Sequence, residues 1–216
     1  MSFTLLLAAA AVLALIYWVQ FCHRGASWPK SAVKTVSVAL LAVAAALSGG
    51  PVLLTVALAL CALGDYLLSR DSEAQFMAGV GAFAAGHIAY VALFLTHPDS
   101  DVARLATVAN LGIIAVLAVF GAGMMRLLWS RAGDMRGPVM GYIPVILAMA
   151  IAVLAVAPHA PLAWALPAAA LFLISDTTLS LDLFVLRDGP ARRLAPFVVW
   201  PTYWLAQAGF TLAFAL

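Results

Sequence analysis

Charge is what this sequence has least of. Only 9% of its 216 residues are Asp, Glu, Lys or Arg, while 66% are hydrophobic, and mean hydropathy is +1.09. A soluble domain of this length needs a far larger polar surface, so soluble classes are excluded and an integral membrane protein is expected. Cysteine is almost lacking. Cys22 and Cys61 fall in or beside apolar runs; two such residues make neither a disulfide framework nor a metal-site spacing, and each is expected to pack as a small side chain. No Lys or Arg precedes the first apolar run, whereas Arg24 and Lys30 follow it, so that run is expected to be a retained helix rather than a secretory signal. No GxSxG or Walker motif occurs, and no basic patch fit for nucleic acid. His23, His97 and His159 fall in breaks on both sides of the expected membrane and cannot join His87. A histidine-based metal centre is therefore set aside, and no metal or other cofactor is expected.

What the chain does have is long apolar runs. A helix crossing the hydrocarbon needs roughly 20 such residues. Eight segments qualify: Phe3–Phe21, Ser31–Leu47, Pro51–Leu68, Phe76–Leu95, Val102–Met125, Pro138–Ala157, Pro161–Leu186 and Leu194–Leu216. The breaks between them carry turn chemistry, as in "SGGP", "SRDSEAQ", "THPDSD", "RAGDMRGP", "APHAP" and "RDGPARR". Pro51, Pro138 and Pro161 open spans, where a missing N–H costs nothing. The runs are too long and continuous for barrel strands. The expected fold is thus all-α: one polytopic membrane bundle of eight transmembrane helices over residues 1–216.

Basic residues set an orientation. Arg24, Lys30, Lys34, Arg70, Arg126, Arg131, Arg136, Arg187, Arg192 and Arg193 fall on one side, and only Arg104 on the other. Both termini are expected outside and the basic loops in the cytoplasm, most simply in a bacterial inner membrane. An internal repeat is also possible. "LGDYLLS" (Leu63–Ser69) resembles "ISDTTLS" (Ile174–Ser180), and "GHIAYVALF" loosely matches "AQAGFTLAF", setting His87 opposite Gln207. That points to two parallel four-helix halves, 1–97 and 98–216, with a site where they meet.

Ionisable residues inside a membrane are costly and usually face the bundle interior. At helical rise Asp65 lies roughly 6 Å from the cytoplasmic end of span three, Asp176 roughly 15 Å into span seven and His87 roughly 16 Å into span four. Asp176 and His87 are therefore expected in one plane, with Asp65 above them toward the cytoplasm. Each has a plainer reading: Asp65 as an interfacial partner of Arg70, Asp182 as a partner of Arg187, His87 as a core histidine bonded to a carbonyl. On span four Gly79, Phe83, His87 and Tyr90 form one stripe; on span eight Trp200, Tyr203, Gln207 and Phe210 form another, with Pro201 kinking the helix near it. These aromatics, with Trp204 and Tyr142, either enclose a lipid or pack as an interfacial belt. Lys34 is either a snorkelling lysine or a phosphate contact.

The pieces "GDYLL", "GAFAAGHIAY", "ISDTTLSLDLF" and "YWLAQAGF", in this order over nearly the whole chain, resemble the YhhN-like lysoplasmalogenase family of multi-span membrane proteins. Lys34 near the start of span two also fits, although Thr35 stands where a proline often follows. The resemblance implies hydrolysis of the vinyl ether bond of a lysoplasmalogen, a lysophospholipid in the membrane, to a fatty aldehyde and a glycerophospho-ethanolamine or -choline. It maps the family's aspartates onto Asp65 and Asp176, with His87, Tyr90, Asp182 and Gln207 as further motif positions. Vinyl ether hydrolysis starts with protonation of the β-carbon. Asp176, the deeper carboxyl, is expected to be the acid and Asp65 the ionised partner that orients water, with the exchanged roles as the alternative. His87 and Tyr90 would relay or position water, and Gln207 would bond the ether oxygen or a glycerol hydroxyl. Lys34, Tyr142, Asp182, Trp200 and Tyr203 would line the substrate site, open to the cytoplasm. No obligate protein partner is implied. Without the resemblance, a proton-coupled carrier of a small or lipid-like solute fits the same intramembrane Asp and His residues.

Overall fold

A computed structural model describes residues 2–216. These residues fold into eight α-helices: α1 (Phe3–Ile16), α2 (Trp28–Leu47), α3 (Val52–Leu68), α4 (Glu73–Thr96), α5 (Val108–Trp129), α6 (Arg136–Ala152), α7 (Ala165–Phe184) and α8 (Pro190–Ala215). Six helical stretches are long and apolar enough to cross a membrane: Phe3–Phe21, Trp28–Leu47, Glu73–Thr96, Val108–Trp129, Gly133–Ala155 and Leu162–Phe184. The other two fall short for different reasons. The apolar α3 has 17 residues. With 26 residues α8 is long enough, but it opens near Arg192 and Arg193 and carries Thr202, Gln207 and Thr211.

Short polar residues begin the helices. Ser27, Ser72 and Thr107 stand at N-caps in extended conformation, their side chains accepting from the amides of Lys30, Gln75 and Asn110. The cap at Thr107 corrects one expected boundary. The fifth span does not begin at Val102: Val102–Ala106 is a separate 3-10 turn, and the α-helix starts after Thr107.

Two helix pairs pack along their whole length, α3 with α4 and α7 with α8, whereas α6 meets α7 only sparsely. Glycine makes the first pair close. A Cβ at Gly64 would sit 2.6 Å from the Phe83 ring, and one at Gly86 would sit 2.9 Å from Cys61 Sγ. Between α1 and α8 two indoles exchange bonds. After α1 the chain runs on as a π-turn, Tyr17–Phe21. The ring nitrogen of Pro201 cannot donate to the Phe197 carbonyl one turn back, and Trp18 Nε1 donates to that oxygen at 3.1 Å. In return Trp200 Nε1 donates to the Ala14 carbonyl at 2.9 Å.

One half of the interior is filled with rings. Phe210 lies 4.5 Å from Tyr90 and 5.3 Å from Phe94 between ring centroids, and Phe94 stacks on Phe214 at 5.5 Å. Beyond them Asp101 N donates to Ala155 O and Ala157 N to Asp99 O, each at 3.0 Å, closing that end of the bundle.

Candidate active site

At the other end the interior is hollow. A cavity of about 400 Å³ lies where α1, α3 and α7 finish and α2, α4, α6 and α8 begin. Its wall is mostly apolar, with Phe76, Phe83, Pro138, Leu179 and Phe184 among the lining residues; the polar groups on it include Lys30, Lys34, Asp65, Tyr142, Ser175, Asp176, Ser180, Asp182 and Tyr203. Asp65 and Asp176, from separate helices, line this one space.

Asp65 is held on two sides. Lys34 Nζ lies 2.9 Å from its Oδ1, and the Tyr203 hydroxyl donates to its Oδ2 at 2.7 Å. Its side chain is 1% exposed and that of Lys34 18%. Such a buried pair is held more by the penalty of stranding one charge than by net attraction. Arg70 is not the partner of Asp65: its guanidinium stacks over Trp28 at 4.6 Å and over Tyr66 at 5.8 Å. Nor is Lys34 a free interfacial lysine, since its ammonium is paired with Asp65. Lys34 stands six residues inside the start of α2 and Asp65 three before the end of antiparallel α3, so their depths differ by about one turn, within reach of a lysine stem.

Asp176 has no lysine or arginine at ion-pair distance among the described residues. The Tyr142 hydroxyl donates to its Oδ2 at 2.6 Å, and His87 Nε2 lies 3.8 Å from the same oxygen. Its side chain is 13% exposed, toward the cavity. His87 is fully buried. Its Nδ1 is 2.7 Å from the Phe83 carbonyl, which can only accept, so Nδ1 carries a proton; Nε2, buried with no hydrogen-bond partner, lies toward Asp176 as the bare nitrogen of a neutral ring. Edge contacts with Tyr142 at 5.5 Å and Phe172 at 4.5 Å fix the ring.

The sequence-derived set divides into a wall and its backing. Lys34, Asp65, Tyr142, Asp176, Asp182, Trp200 and Tyr203 line the cavity. His87, Tyr90 and Gln207 stand behind it, all completely buried. Tyr90 donates to Gln207 Oε1, while Gln207 Nε2 is buried without a partner; Gln207 does not line the cavity. Asp182 does not pair with Arg187; Arg192 Nε is its nearest cation, at 3.8 Å. Trp204 faces away from the cavity, unlike Trp200, whose ring packs on Tyr17 at 4.2 Å. Tyr17, Ser175 and Lys30 also line the space and were not anticipated. Tyr17 is hidden inside an apolar run, and only the π-turn that begins there marks it.

Together the fold and the cavity define a helical membrane protein with two acidic groups on the wall of one mostly apolar hollow. The sequence profile of the YhhN family matches residues 29–214; the chain belongs to the YhhN family. No curated protein and no solved structure matches it.

Proposed function

We propose that this protein is a membrane hydrolase that cleaves the vinyl ether bond of lysoplasmalogens, releasing a fatty aldehyde and a glycerophospho-ethanolamine or -choline. In this reading all eight helices span the membrane, both termini lie outside, and the cavity opens to the cytoplasm, the side rich in Arg and Lys. The observation that carries the proposal is the contrast between the two carboxyls in one cavity: Asp65 balanced by Lys34, and Asp176 beside a tyrosine and a histidine with no lysine or arginine.

Asp176 holds the proton. Tyr142 occupies its Oδ2, leaving Oδ1 for the substrate. The proton passes to the β-carbon of the vinyl ether as the double bond's electrons form the new C–H bond, and positive charge develops on the α-carbon and ether oxygen. Asp65, kept ionised by Lys34 and Tyr203, faces that charge, as one carboxylate of a glycosidase pair does. Water adds to the α-carbon and its proton returns to Asp176. The resulting hemiacetal collapses: the C–O bond to glycerol breaks, the hydroxyl proton passes through water to the departing oxygen, and the aldehyde is left. His87 and Tyr142 act as positioning residues that fix the rotamer of Asp176. Asp182 and Lys30 stand at the mouth, where a phosphorylated headgroup stays wet.

The ring-filled half of the bundle supports a dead-ended cavity over a passage. Purified protein in detergent, given lysoplasmenyl-phosphoethanolamine beside its saturated acyl counterpart, is expected to release aldehyde from the first alone. Flux of solute across sealed vesicles without aldehyde release would replace the hydrolase with a proton-coupled carrier.

A further inference from the structure

The cavity has a narrow neighbour. Beyond the Tyr142–Asp176 bond a crevice of about 30 Å³ lies among Phe120 and Met124 of α5, Leu147 of α6 and Leu173 of α7. It shares Tyr142, Ile143, Asp176 and Ser180 with the main cavity. The two hollows are therefore opposite sides of one seam, and the seam runs between α6 and α7, which pack sparsely.

The outer boundary of the crevice faces lipid. Of all the residues in α5 only Gly121 and Leu128 are buried, and Phe120 beside the crevice is exposed. Where α5 meets α6 the contact is made by an absent side chain: a Cβ on Gly121 would fall 2.2 Å from Leu147 Cδ1. The tip of Leu147 thus sits between helices on flexible torsions, with Met124, another adaptable side chain, nearby. Pro144 interrupts α6 between Tyr142 and Leu147 and removes one bond of the helix ladder there. At this size the crevice holds little more than one small group; it is a neck whose sides are movable rather than a finished channel.

We propose that this seam is the lateral portal for one fatty chain. The chain of a single-chain ether phospholipid lies between α5, α6 and α7, its headgroup stands in the polar cavity, and the bond at the root of the chain is brought to Asp176. The assignment rests on the hydrolase reading above and names how its substrate is seated. Three features select this ligand: an apolar lining that opens to the bilayer, polar groups only at the inner junction apart from Thr177, whose hydroxyl is spent on the Leu173 carbonyl, and continuity with a hollow whose far mouth carries Lys30 and Asp182. A chain gains little by leaving lipid for such a neck. What the seam supplies is register, since threading the chain fixes the reacting carbons relative to the acid.

The test uses an alkyl ether lysophospholipid, which cannot be hydrolysed by this route, bearing a diazirine midway along its chain. Full-length protein in nanodiscs is irradiated and its labelled peptides are mapped. Labels at Phe120, Met124, Leu147 or Leu173 that disappear with excess unlabelled lipid are expected. Labels on the lipid-facing residues Val116 and Val119 should persist under competition, marking bulk contact. Competed labels confined to Phe76 and Phe184 at the main mouth would overturn the portal. Leu147→Trp provides a second arm: it should reduce the competed labelling at least tenfold and depress turnover of a long-chain vinyl ether lipid more than that of a short-chain one. Equal depression of both chain lengths would also overturn it. Because labelling needs no turnover, a labelled but inactive wild type would reject the hydrolase reading and leave the portal standing.

Discussion

Asp65 and Asp176 occupy the same place in two similar heptapeptides, "LGDYLLS" and "ISDTTLS", yet their surroundings differ. On the α3 side the carboxylate is closed in by a lysine and a tyrosine and is almost completely buried. On the α7 side the carboxyl meets a tyrosine and a neutral imidazole, and part of it looks into the cavity. The two heptapeptides share their aspartate and their Leu-Ser ending; they do not share the helix across the way. A neighbour on α2 makes one aspartate half of an ion pair, and neighbours on α6 and α4 give the other a hydroxyl and an imidazole in place of a lysine. The role of a buried acid is set by its tertiary partners, and the way to break the comparison is to change those partners one at a time.

The largest effect is expected at the acid itself. Asp176→Asn keeps the shape and the Tyr142 contact but carries no transferable proton, so aldehyde release should fall by about 10²–10⁴-fold while the variant elutes from size exclusion like the parent. Retention of more than a few per cent of activity would reverse the assignment of the two carboxyls. Next comes Lys34→Met, which strands a buried carboxylate. Removing one member of such a pair costs about 3–5 kcal/mol, read as a lowered thermal midpoint in detergent, and the double variant with Asp65→Asn should regain much of it. A double variant as unstable as the single one would show that the pair is not what Lys34 contributes. Tyr203→Phe and Tyr142→Phe each delete one hydrogen bond to an acidic group, about 1.5–3 kcal/mol if the acceptor is charged. The first should appear mainly in stability and the second mainly in kcat, so equal loss in both measurements for both variants would erase the distinction drawn between the two sides. The smallest effect belongs to Arg70→Ala, which removes only two cation–π contacts, each worth about 0.5–1 kcal/mol, and should leave turnover unchanged. A large loss there would restore Arg70 as the partner of Asp65.

Much of the bundle was legible because lipid-compatible helices announce themselves by length and hydropathy, and Ser, Thr, Pro and Gly mark their ends. The start of α5 was not, because "VARLA" is as apolar as a helix start and only the cap at Thr107 separates it. The buried stripes on α4 and α8 were readable from spacing, but spacing cannot say whether an inward polar group meets a cavity or another inward polar group. Tyr90 and Gln207 met each other. Lys34 was misjudged for a related reason: Arg70 is nearer to Asp65 in sequence, while Lys34 is nearer in depth on an antiparallel neighbour, and depth decides.

The most direct test of a proton delivered to carbon is to run the reaction in heavy water. Purified protein acting on lysoplasmenyl-phosphoethanolamine, with the aldehyde trapped as it forms, should yield product carrying one deuterium on the carbon next to the carbonyl, and Asp176→Asn should yield almost none of that product. Aldehyde free of deuterium, or normal yield from the variant, would contradict the account.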